Sequence, residues 1–457
     1  MSNELAARMD AYIDQHFDQA VAELSRLCAQ PSISAQGVGM RECAELVAER
    51  LRTRGFRAEV IPTSGHPIVF GEAPGASDKT LLFYNHYDVQ PPEPLEAWDS
   101  PPFEPTVRDG KLYARGVSDD KGHLVCRLAA IDAVVAAHGR LPCRIKFVVE
   151  GEEEVSSTNL YAFVENNAEK LKADACLWEF GYISDEGISM QHLGLRGICY
   201  VELSVETGTL DAHSGLGGSI FPNAAWRLTW ALSSLKGLDE HIRIPGFYDD
   251  VVPPTARDLE LLAQMPDNSE ELLKTYGLKG FLKGHTGGVE LRRESVFSPT
   301  CTICGLTSGY QGPGSKTVLP VRASAKVDFR LVPDQDPQDI LRKLRAYLDA
   351  EGFADVHITY LGGDPPARVS PDDPFVRLVA RTAQAVYGRE QMIVPLAGGS
   401  GPNYPFIHHL GLPVATAGVG HSDARIHAPN ENLRLDYFKM GIRHTARILA
   451  AFADLGD

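Results

Sequence analysis

Several short stretches combine imidazole and carboxylate at spacings that suit a metal centre. In "NHYD", His86 and Asp88 are two residues apart, so on a strand they share a face. A metal-bound imidazole usually donates its second N–H to a carboxylate or carbonyl, and Asp88 is a candidate for that partner. "GVSDDKG" sets Asp119 and Asp120 side by side where a helix begins, a position that also suits simple N-capping. "EGEEE" crowds Glu150, Glu152, Glu153 and Glu154 at the end of an apolar run. Carboxylates there are costly to bury unless a cation or hydrogen bonds compensate. "LWEFG" adds Glu179 after another apolar run, and "ARIHAPNE" adds His427 near the C-terminus. Two histidines with three or four carboxylates and no clustered cysteines suit Zn2+, with Mn2+ or Co2+ as poorer fits.

Such groups need a scaffold that delivers them to one place. "TLLFYNHYDVQ", Thr80 to Gln90, is an apolar strand with a polar end. Ser118 to Gly139 starts polar and becomes a long apolar-faced helix, and "CRIKFVVE" is the next strand. Helices over 4–28 and 40–54 and the strand "FRAEVI" precede them. This alternation predicts an α/β sheet flanked by helices, and ligands in such sheets gather at the strand ends. After "LRG" the character changes. "ICYVELSVET" and "SAKVDFRLVP" alternate like half-exposed strands, beside the helical "NAAWRLTWALSSL" and "PQDILRKLRAYLDAEG". That pattern predicts a smaller α+β layer with one open face. Residues 240–315 read as irregular, with helical pieces. Helix and short apolar strands return after "GGDPPARVS". The expected organisation is a catalytic domain of residues 1–197 and 366–457, interrupted by an inserted domain of residues 198–365.

The chain has 457 residues, more than one ordinary core would use. Its formal net charge of -16 disfavours nucleic acid and anionic membrane surfaces as partners. No apolar run approaches the roughly 20 residues of a membrane span. The N-terminus lacks the basic and apolar regions of a signal peptide. The 8 cysteines are scattered, as in a cytoplasmic protein with reduced thiols. Cys301 and Cys304 form a lone CxxC that reads as structural.

In order, "NHYDVQP", "ARGVSDDKG", "EGEEEVSS", "GLRG", "DAHSG" and "HAPNE" resemble the motifs of the M20 family of co-catalytic zinc peptidases and deacylases. The resemblance runs from "QPSIS" to the C-terminus. It points especially to the carnosinase-like dipeptidase branch, with features of the glutamate carboxypeptidase and succinyl-diaminopimelate desuccinylase branch. It implies a zinc-exopeptidase-like catalytic domain with a mixed sheet, and an inserted dimerisation (lid) domain. It also implies two zinc ions per chain: His86 and Glu179 would ligate one, Glu154 and His427 the other, and Asp119 would bridge both. Asp88 would clamp the His86 ring, and a cis peptide would follow Asp119. Glu153 matches the general base. His213, in "DAHSG", resembles a histidine sent into the partner subunit's active site to help hold the oxyanion. Arg330 resembles an arginine that meets a substrate carboxylate, and Ser400 lies in a Gly-rich stretch able to offer N–H groups. His421, in "GHSD", is the rival to His427. Glu179 is a departure, since the carnosinase-like branch usually has Asp there.

The protein expected from these features is a cytoplasmic homodimeric hydrolase of amide bonds next to a free carboxylate, most simply a dipeptidase acting on small peptides. A deacylase of N-acyl amino acids or a carboxypeptidase would share its metal chemistry. A catalytically inactive metal-binding scaffold would have no use for Glu153.

Overall fold

Six strands form the sheet whose ends present His86 and Glu179, in the order Arg57–Ile61, Ile68–Ala73, Cys143–Glu150, Ser77–His86, Ala175–Trp178 and Val414–Thr416. The last four run parallel. The first two form an antiparallel hairpin that joins the edge of Cys143–Glu150, so the sheet is mixed. Leu81, Leu82, Phe83 and Tyr84 in its centre are fully buried, as befits a parallel strand covered on both faces. Parallel neighbours need a crossover, and the helix Lys121–His138 supplies the one between Ser77–His86 and Cys143–Glu150. That helix is apolar nearly all round because it packs beneath Asn3–Ala29 and Leu435–Phe452. Gly139, at φ 86°, closes it in the left-handed conformation that glycine adopts without strain.

This computed structural model describes residues 2–456. The six-stranded sheet belongs to a first unit that runs through Leu193 and includes Arg368–Pro395 and the chain from Pro402 onward. Among the described residues, no helix is long and apolar enough to cross a membrane.

The second unit comprises Gly194–Ala367 and Leu396–Gly401. Its antiparallel sheet has the order Thr300–Ser308, Arg322–Leu331, Gly197–Glu206, His357–Asp364. Burial alternates residue by residue along Gly197–Glu206, because the helices Ala224–Leu235 and Pro337–Ala350 pack on the sheet. Two features depart from the sequence reading. Thr300–Ser308 is a full edge strand inside the stretch read as irregular. Leu396–Gly401, read as part of the first domain, packs with the second unit.

The candidate metal centre

The ends of three parallel strands supply the first groups. His86 closes Ser77–His86, Glu150 closes Cys143–Glu150, and Glu179 directly follows Ala175–Trp178. His86 Nδ1 lies 3.1 Å from the Asp88 carbonyl oxygen and 3.2 Å from Asp88 Oδ1. Its N–H therefore points at Asp88, and the lone pair of Nε2 points away from it. Nε2 is 3.1 Å from Asp119 Oδ1 and 3.7 Å from Glu179 Oε2. The other oxygen of Asp119, Oδ2, is 3.0 Å from His427 Nε2, which is also 3.0 Å from Glu154 Oε2. Asp119 thus offers one oxygen to each of two histidine–carboxylate groups. His427 stands at φ 61°, an uncommon conformation for a side-chain-bearing residue and one that clusters at functional sites. His421 is buried away from this cluster, against Tyr437.

Asp120 also lies close enough to His86 and Glu179 to share a cation with them. Its oxygens are engaged elsewhere, however. Oδ2 accepts from Asn85 Nδ2 and, at 3.3 Å, from the His86 N–H, while His123 Nδ1 sits 3.0 Å from Oδ1. His123 Nε2 accepts the Val419 N–H, so its proton is on the Asp120 side. Asp119, with both oxygens turned to the histidines, is the better bridging donor. The Asp119–Asp120 peptide is cis.

The acidic run divides by task. Glu150 is buried and accepts from the Tyr84 and Ser157 hydroxyls at 2.5 and 2.9 Å. Glu152 accepts from the His66 and Asn159 backbone N–H groups and from Asn159 Nδ2, tying two loops together. The Asp88 carboxylate accepts the N–H groups of Glu153 and Glu154 at 3.3 and 3.0 Å, so the residue that clamps His86 also fixes the turn carrying both glutamates. Glu154 Oε2 further accepts from Gln90 Nε2.

Glu431 lies in "HAPNE", where the sequence alone gives it no role. It is buried and accepts four donors: Arg115 Nη1 and the backbone N–H groups of Gly116, Ser118 and Asp119, at 2.8 to 3.1 Å. It holds the turn that presents Asp119. Asn85 and His123 play a similar part for Asp120. The signal for all three is only that they lie inside or beside the motifs that carry the candidate ligands.

The donor set fits divalent cations. Glu179 Oε2 is buried without a hydrogen-bond partner. As side chains alone, these groups balance their charge with protons. Burial, with neighbouring carboxylates, pushes the Glu153 and Glu179 carboxyls well above the usual range. Burial opposes the charge on His86, but Glu179, Asp119 and Asp88 outweigh it and raise the imidazole well above its ordinary value. The hydrogen bonds of Asp119 and Glu154 raise His427 to about 10. Burial works against ionised Asp119, yet the two histidines hold it far below the carboxylate range. Histidines forced to be cationic between carboxylates are what a site built for positive charge produces.

Three further candidates lie in the second unit. His213 Nδ1 accepts the Gly215 N–H at 3.0 Å, and Nε2 is 3.3 Å from Thr317 Oγ1. Its neutral form therefore carries the proton on Nε2, as a donor on an exposed side chain. Arg330 Nη1 donates to Ser400 Oγ at 2.9 Å, and Arg330 Nε lies 3.4 Å from Asp328 Oδ2.

Comparison with known proteins follows the same lines. The chain is 29% identical over 426 residues to the beta-Ala-His dipeptidase of Mus musculus, covering 86% of each chain. It is 28% identical over 457 residues to a Cys-Gly metallodipeptidase of Schizosaccharomyces pombe, covering 94% of this chain and 95% of that one. The crystal structure of a M20 family metallo-carboxypeptidase from Sulfolobus solfataricus superposes with a TM-score of 0.90 at 36% identity, covering 95% of this chain and 99% of that chain. Residues 82–451 match Peptidase family M20/M25/M40, and the chain belongs to that family.

Proposed function

We propose that the protein is a two-metal hydrolase that cleaves the peptide bond of small peptides next to a free carboxylate, and that dipeptides are its substrates. The observation that carries this reading is Asp119, with one oxygen 3.1 Å from His86 Nε2 and the other 3.0 Å from His427 Nε2. His86, Asp119 and Glu179 would hold one ion, and Asp119, Glu154 and His427 the other, with Zn2+ ahead of Mn2+ or Co2+ for this donor set. When bound, such ions supply Lewis acidity and lower the pKa of water.

The chain's own residues do the rest. Glu153 is held beside the cluster by its backbone, and its carboxylate makes no protein hydrogen bond among the described residues. It is free to take a proton from the attacking water and to pass it to the leaving amine nitrogen. Asp88 keeps the His86 proton on Nδ1. The second unit serves as a dimerisation domain, through which the Nε2–H of His213 reaches the partner's site and stabilises the oxyanion. Arg330 and Ser400 meet the substrate carboxylate. All eight cysteines are unpaired, which supports a cytoplasmic setting.

A carboxypeptidase is the second reading. It is favoured by the 36% identity to the Sulfolobus metallo-carboxypeptidase and by Glu179 in place of Asp. Comparing kcat/KM for unblocked dipeptides, longer peptides and N-acyl amino acids decides. Dipeptides should be cleaved best. Faster removal of C-terminal residues from longer peptides would replace the reading with carboxypeptidase, and faster cleavage of N-acyl amino acids with deacylase.

A further inference from the structure

We propose that Arg196 is a positioning residue for substrate-carboxylate recognition, because it fixes both the backbone that carries Arg330 and the loop that carries Ser400. The proposal rests on the reading of Arg330 and Ser400 as the carboxylate site. Arg196 lies in "GLRG", a motif that the metal chemistry does not use.

Its main chain seats the loop. The Arg196 N–H donates to the carbonyls of Gly399 and Ala397 at 3.0 and 3.3 Å, and the Ala397 N–H donates to Gly194 O at 2.9 Å. Leu195 and Ala397 form a parallel bridge. Leu396 is fully buried against Phe297 and Leu262. Ser400 therefore follows a stretch pinned on both sides. The neighbouring Gly197 has no room for a side chain, since a Cβ would lie 2.6 Å from Asp364 O.

The Arg196 side chain reaches the other partner. Nη1 and Nη2 donate to Ser295 O and Ser298 O at 2.8 Å, and Nη2 also lies 3.4 Å from Arg330 O. Ser295 and Ser298 close the helix Gly288–Phe297, whose terminal carbonyls favour a cation. Ile198, two residues on, pairs with Arg330 in the sheet. One residue thus ties together the helix end, the Arg330 backbone and the Ser400 loop.

The burial of this charge needs a reason. Arg196 is 6% exposed, has no direct carboxylate partner among the described residues, and leaves its Nε without a hydrogen bond. Burial and the like charge of Arg330 lower its pKa to about 10, so it stays charged at neutral pH. A buried charge with no carboxylate partner is expensive, and carbonyl acceptors alone offset only part of that cost. A cation behind Arg330 adds positive potential to the face that meets a carboxylate, while three carbonyl acceptors fix its place.

The test compares a dipeptide with its C-terminal amide, which lacks the carboxylate. Arg196→Lys keeps the charge but cannot bridge the three carbonyls. It should lower the ratio of kcat/KM for dipeptide over amide by about tenfold, the scale of one lost hydrogen bond to a charged group. The change should sit mainly in KM, with bound metal per chain unchanged. In an Arg330→Ala background, Arg196→Lys should lower the ratio no further. A folded Arg196→Lys enzyme with an unchanged ratio, or with equal losses on both substrates, overturns the proposal. If Arg330→Ala itself leaves the ratio intact, the carboxylate-site reading fails, and the role of Arg196 fails with it. If Arg330→Ala collapses the ratio and Arg196→Lys does not, only the Arg196 inference falls. Should Arg196 variants not fold, Ala397→Pro removes the N–H bound to Gly194 O. It should lower the ratio in the same way, and an unchanged ratio would refute the proposal.

Discussion

Glu153 and Glu154 are chain neighbours with different surroundings. Glu154 is engaged by His427 and Gln90, whereas the Glu153 carboxylate makes no hydrogen bond among the described residues and is driven towards its protonated form by burial and nearby negative charge. A group that must accept and release a proton is served by that poise. Glu153→Gln should cut kcat by about 10²–10⁴-fold, the range for a positioned acid–base group, with metal content near wild type by elemental analysis. Loss of metal together with activity would make Glu153 a ligand instead. Glu150 allows a separate check on burial. Burial raises its carboxyl from 4.5 to about 8, so the folded protein binds this proton more tightly than the unfolded chain. The linked stability is full below the unfolded value and is lost as pH rises through about 8. Glu150→Gln keeps an acceptor for Tyr84 and Ser157 without the ionisation. Its melting temperature should match wild type at about pH 5 and exceed it at about pH 9. A constant difference across that range would contradict the assignment.

Strand ends and tight turns, more than the glutamates themselves, make the centre. Glu431 accepts four donors from the segment Arg115–Asp119, and Gln at that position would turn an NH2 towards two of them. Glu431→Gln should therefore weaken metal binding by about 10–100-fold, as lost supporting contacts do, measured by competition with a chelator. Unchanged affinity would show that the Asp119 turn holds itself. The long elements were legible because their periodicity is strong. "CRIKFVVE" is the strand Cys143–Glu150 residue for residue, and the helix read over 4–28 is Asn3–Ala29. Thr300–Ser308 was not legible. It is an edge strand exposed over much of its length, so no apolar alternation marks it. The six residues of Leu396–Gly401, read with the first domain, group with the second unit, and no sequence pattern marks this because one buried leucine and a few backbone bonds decide their place. Asp119, Glu154 and His427, which the structure brings together, are singled out by their motifs. Glu431 and His123 are not, since a supporting role depends on contacts across up to 316 residues of chain.

At the scale of the molecule, the second unit leaves apolar surface uncovered. Trp226 and Trp230 are more than half exposed on the helix Ala224–Leu235, as are Ile303 and Leu306 on the edge strand. Edges and patches of this kind are where a second copy docks, and the proposed homodimer would use them. Mixing inactive His213→Ala and Glu153→Gln proteins under subunit exchange should restore roughly a quarter of wild-type activity, because half the molecules become heterodimers with one intact site. No recovery despite exchange would place His213 in its own chain's site or outside the chemistry. The central claim is that Asp119 and the four groups around it, His86, Glu179, Glu154 and His427, form a two-metal hydrolytic centre. Titrating Zn2+ into metal-stripped protein while following dipeptide turnover tests it most directly. Turnover should be absent without metal and should saturate at about two bound ions per chain. Full turnover by protein shown to be free of metal would contradict the account.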